Sequence, residues 1–217
     1  MRRQQRWLAA SALALAASPL LAPELLAFPH HRQVADKSAH PVKPPEGSAI
    51  EQVIARANRL VAASPLAREA EPRRFLLTDG GWRWHRLALG SSSAFALSRP
   101  LGEPIVVNRS DLAADRVRNG ANLGGTRTLS GTIAHATAHG LIRRRFGLGS
   151  ALFPQRLVEG YAGHLAQESS HKAADIAAPE AAKATHPAQS HYHGRRAVVR
   201  LLAANRGSVA ELFESPR

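Results

Sequence analysis

The strongest constraint on this chain lies between Gly131 and Ser170, where His135 and His139 are followed by Glu159 in a second helical segment. Residues four apart share one face of a helix, so a helix from about Leu129 to Phe146 brings both imidazoles to one place. Gly147 suits the position just past its end, and Arg143, Arg144 and Arg145 occupy its last turn, where cations complement the helix dipole. A second helix is predicted from about Pro154 to Gln167. Leu157, Val158, Tyr161, Ala162 and Leu165 form its apolar stripe, and Pro154 fits a first turn. A carboxylate arriving from that helix, Glu159, can join the two imidazoles as the third ligand of one metal ion with a fourth position open.

The chain contains no cysteine, which excludes disulfides and thiolate metal sites and leaves His, Asp and Glu as the strong ligands. Its 217 residues allow one domain with a real core. The excess of 29 Lys+Arg over 16 Asp+Glu gives a formal charge of +13. Such a field favours an anionic membrane or cell-envelope surface as partner, although an Arg- and Ala-rich background accounts for it equally well. No nucleic-acid partner is expected, because no stripe of interleaved aromatic and basic residues accompanies the charge.

Residues 1–28 read as a targeting segment: Arg2, Arg3 and Arg6 precede an apolar run from Trp7 to Leu21 that Pro19, Pro23 and Glu24 interrupt. A signal peptide and an uncleaved membrane anchor both fit, and either implies export to the periplasm or cell envelope. Residues 29–47, polar and marked by Pro41, Pro44 and Pro45, read as a linker. Residues 48–217 form the expected domain. It opens on a capping box, Ser48 with Glu51, before a helix whose apolar residues run from Ile50 to Val61. Strand-like runs follow at Arg74–Leu77, Ala94–Ser98 and Pro104–Asn108, and Trp82 with Trp84 reads as the arm of a hairpin packing one indole on the core. Residues 168–193, rich in Ala, Pro, Ser and Lys and poor in large apolar side chains, read as a mobile loop. The histidines of the 186–193 tract are a compositional signal only. Amphipathic helices at Arg195–Ala204 and Val209–Phe213 close the chain.

The flanks of the histidine pair carry more information than the pair itself. Leu129-Ser-Gly-Thr-Ile-Ala-His135-Ala-Thr-Ala-His139-Gly-Leu-Ile resembles the site helix of zinc metallopeptidases of the gluzincin group, and Leu157-Val-Glu159-Gly-Tyr-Ala162 resembles their second helix. Over residues 129–168 the chain is similar to a set of exported, uncharacterised bacterial proteins with a zincin-like core. The resemblance implies an α+β fold in which an N-terminal helix and a small mixed sheet precede the site helices. It makes Pro104–Asn108 the edge strand of the cleft, His135, His139 and Glu159 the ligands of Zn²⁺, and a peptide or protein the substrate or ligand.

Two departures qualify the resemblance. Ala136 stands where the family has the Glu that takes a proton from the attacking water and delivers it to the leaving amine, help worth roughly 10²–10⁴-fold in rate. Gly163 stands where many relatives have an Asp that orients a ligating His, an effect worth roughly 10–100-fold. His164 is a candidate accessory ligand or proton carrier. Glu168, on the same predicted helix as Glu159, is too far along it to replace the base unless the chain bends back. Three readings result: a degenerate metallopeptidase, or pseudoenzyme, that keeps its metal site; an active zinc-dependent hydrolase with an unusual base; and a basic envelope-binding module whose histidine pair is merely structural.

Overall fold

A computed structural model describes residues 28–70, 72–98, 104–121, 125–168 and 187–214, together with 23–26 and positions 7 and 18. In chain order the regular elements are β1 (Arg32–Val34), β2 (Lys37–Pro41), α1 (Ala49–Ala62), β3 (Arg73–Leu77), α2 (Trp82–Ala88), β4 (Ala96–Ser98), β5 (Ile105–Val107), β6 (Arg109–Asp111), β7 (Arg116–Arg118), β8 (Thr126–Thr128), α3 (Leu129–Phe146), α4 (Gln155–Leu165), α5 (Pro187–Ala204) and α6 (Val209–Glu214), with short 3-10 turns at Pro23–Leu26 and Gly147–Leu152. This mixture of helices and two small sheets is consistent with the expected α+β class.

The first sheet has the order β1-β2-β3-β5-β4, with β2, β3 and β5 parallel and the outer strands antiparallel to their neighbours. Its side chains alternate between faces. Phe75, Leu77, Ile105 and Val107 enter one core with α1 and the start of α3, while Leu76 and Val106 enter a second core with Trp84 and Leu87 of α2. Both faces of the sheet are thus covered, as parallel pairing requires. The antiparallel sheet β6-β7-β8 continues from the end of β5 and leads directly into α3. On the far side of α3, the helices α4, α5 and α6 pack around Tyr161, Val198 and Phe213.

Several expectations change. Residues 29–47 are not a linker throughout: β1 and β2 lie within them, and β2 pairs with β3 over five residues. The proline pattern concealed this because Pro41 is the last residue of its strand and Pro44 and Pro45 lie beyond it. Trp82 and Trp84 are helical, with Trp84 and Leu87 buried and Trp82 exposed, since three-residue spacing puts Trp84 and Leu87 on one side of α2. Pro104–Asn108 does not supply the sheet edge: β5 lies between β3 and β4, and β4 is the edge. Ser48 precedes α1 without a side-chain cap, its Oγ accepting instead from Gln52 Nε2 at 3.0 Å. The final long helix begins at Pro187, so part of the histidine-rich tract is helical. The rest of the expected loop, residues 169–186, and most of the targeting segment lie outside the described residues. No helix among the described residues is long and apolar enough to cross a membrane.

Candidate metal centre

The site helix α3 is fixed at its N-terminus by three side chains. Thr128 caps it by accepting from Gly131 N at 3.0 Å, and Asp115 accepts from Ser130 N at 2.8 Å and from Ser130 Oγ at 2.7 Å. The same Asp115 carboxylate pairs with Arg56 of α1 at 3.0 Å, tying the two helices together. Glu168 supplies the third anchor. Gln167 adopts a left-handed conformation (φ 54°), which ends α4 and turns the chain back, and both Glu168 carboxylate oxygens lie 3.2 Å from Thr128 N. Negative groups at the positive end of a helix are favourable as well as hydrogen-bonded.

One side of α3 carries the histidine pair. His135 Nε2 lies 3.3 Å from His139 Nε2 and 3.2 Å from Glu159 Oε2, and His139 Nε2 lies 3.5 Å from Glu159 Oε1. The three side chains are partly buried, and their donor atoms converge within 4.8 Å as a group that could hold a metal ion. Burial above all holds the His135 imidazole below the usual histidine range; the hydrogen bond with Glu159 opposes this, and the neighbouring His139 and Arg127 charges add to it.

Glu159 reaches the pair because α4 is held closely by α5. A Cβ built on Gly160 would meet Gly194 O of α5 at 2.5 Å, and one built on Gly194 would meet Arg156 O at 2.6 Å. The two glycines permit a backbone contact that any side chain would prevent. Tyr161, next in sequence, is buried and hydrogen-bonded to Ser64 Oγ at 2.7 Å.

The structure therefore brings together His135, His139 and Glu159, as the spacing predicted. Among the described residues His164 is not part of the converging group; burial, and then the Arg195 charge on α5, depress its pKa. Ala136 is 6% exposed and belongs to the core between α3 and the sheet. Gly163 has the returning backbone of Glu168 beside it, 3.2 Å from where a Cβ would stand. Glu168 does bend back, but its carboxylate is committed to Thr128.

Sequence reasoning missed Arg127. Its guanidinium lies over the Phe95 ring at 4.5 Å, burial lowers its pKa, and the Glu168 and Glu159 charges act in the opposite direction. The Arg127 charge thus acts on both Glu159 and His135. Only its place immediately before the Thr128 cap hinted at this. No protein-family model, curated protein or solved structure shows significant similarity to the chain.

Proposed function

We propose that this chain is an exported, zinc-metallopeptidase-like protein with a zincin-like core, which keeps a Zn²⁺ site on His135, His139 and Glu159 and has lost the group that would make it an efficient peptidase. The observation that carries the reading is the convergence of one donor atom from each of His135, His139 and Glu159 to within 4.8 Å of one another. A tetrahedral ion with bonds of about 2.0–2.1 Å holds its donors about 3.3 Å apart. The two imidazole Nε2 atoms are 3.3 Å apart, and the Glu159 carboxylate sets Oε2 3.2 Å from His135 and Oε1 3.5 Å from His139. The donor types fit as well: two imidazoles, one of them biased toward its neutral, metal-binding form by burial, and a carboxylate.

Bound zinc would supply Lewis-acid polarisation of a carbonyl. The surrounding residues supply binding and orientation. Among the described residues no strand pairs with the outer edge of β4, and β4 packs against α3, which suits an extended peptide adding itself as a further strand. Ala136 carries no transferable proton. Neither His164, which lies beside α5, nor Glu168, held at the helix start, is placed to act in its stead.

Metal analysis and a protein-cleavage assay test the proposal. Purified protein should contain one zinc, lost in His135→Ala, and should cleave unstructured protein poorly or not at all. Ala136→Glu should gain cleavage that a further Glu159→Ala change removes. Efficient cleavage by the natural protein, abolished by Glu159→Ala, would instead establish the hydrolase with an unusual base. Absence of zinc, with unaltered stability in His135→Ala, would leave the basic envelope-binding module.

A further inference from the structure

The face of the second sheet turned away from the candidate metal centre sets two arginines against each other. Val117 of β7 pairs with Arg127 of β8 and is buried in the core beside α3. Arg116 and Arg118 flank Val117 and therefore belong to the opposite face. There the register sets Arg118 directly across from Arg109, and Arg116 across from Asp111. Two like charges facing each other across an antiparallel pair are unfavourable. Among the described residues no carboxylate lies within ion-pair distance of Arg109, Arg116 or Arg118.

These three arginines and Lys43, just past the end of β2, line a cleft of about 390 Å³. It opens beyond the carboxyl ends of the parallel strands β2 and β3, at Pro41 and Leu77, the end of such strands at which ligands collect. Its size lies within the range of small-molecule sites. Three acids also line it, but Asp79 and Asp111 each have one oxygen held by a backbone N–H of their own turn, from Gly81 at 3.0 Å and from Ala114 at 3.1 Å. Glu46 is the third, and it pairs with none of the cations.

We propose that this cleft is a second ligand site, separate from the metal centre, that binds a multiply charged oxyanion of the phosphate or polycarboxylate type between Arg109, Arg118 and Lys43. Guanidinium groups present paired donors that match such anions, and an anion between Arg109 and Arg118 converts their repulsion into shared attraction.

Calorimetric titration of metal-free, full-length protein tests this, with inorganic pyrophosphate in one series and citrate in another. Saturable binding at one site is expected for at least one of them, and the tighter of the two identifies the phosphate or the carboxylate source. Arg118→Gln should weaken binding at least tenfold, as should Arg109→Gln, while Arg145→Gln on the far end of α3 should leave it unchanged. Ligand-free Arg118→Gln should melt no lower than the natural protein, because a repulsion has been removed. No saturable binding of either anion, or equal weakening by Arg145→Gln, would overturn the proposal.

Discussion

His135 and Ala136 are neighbours in sequence with opposite electrostatic demands. Burial lowers the pKa of the His135 imidazole, and the same cause depresses that of His164. An unfolded histidine takes up its proton near about pH 6.5. The native protein takes it up only at lower pH, so between the two values the unfolded state binds more protons and stability falls as pH falls. Metal-free protein should therefore melt at a lower temperature at pH 5.5 than at pH 7.5, and His135→Ala should reduce that difference. A melting temperature independent of pH across this window would contradict the burial of the imidazole. Ala136 faces the reverse case. A glutamate there enters a packed apolar core and has to remain ionisable, which costs about 3 kcal/mol from overpacking and lost hydration together. Chemical denaturation of Ala136→Glu should show a loss of that order. Zinc at about a hundredfold its Kd restores about 2.7 kcal/mol, so any gained activity is best sought in the loaded protein.

Among the elements, those that build the candidate metal centre were the most legible in the sequence. The bounds of α3 follow from an uninterrupted helical run and from Gly147 behind it, where φ is 64°. The strip Leu157–Tyr161–Leu165 likewise marks α4. What stayed hidden depends on partners distant in sequence. The inward positions of β2 are Lys37, Ala39 and Pro41, which no hydrophobic pattern would select; pairing with β3 makes them a strand. Trp84, Leu87 and Ala88 did carry helical spacing, but the preceding Asp79-Gly80-Gly81 favoured a hairpin reading. Arg127 and Glu168 reach α3 only through the register of β7 and β8 and the reversal at Gln167, and neither leaves a local signal. The close approach of α4 and α5 yields a prediction at this scale. Gly160→Ala inserts a methyl against Gly194 O and the Val198 side chain, which should cost about 1–3 kcal/mol in denaturant unfolding. Because Glu159 is adjacent, zinc affinity should fall with it. Unchanged stability and affinity would show that the helix pair yields freely.

For the molecule as a whole, Leu26 ties the N-terminal segment to the folded body. Its side chain is buried with Leu76, Trp84 and Leu87, and its carbonyl accepts from Arg83 Nε at 2.9 Å. Removing residues 1–28 should therefore lower stability by about 2 kcal/mol relative to removing residues 1–22, the contribution of one large buried aliphatic side chain. Equal denaturation midpoints for the two truncations would show that Leu26 contributes nothing. This contact also limits how the chain can be processed. A cut that removed Leu26 would leave an uncovered apolar socket beside α2.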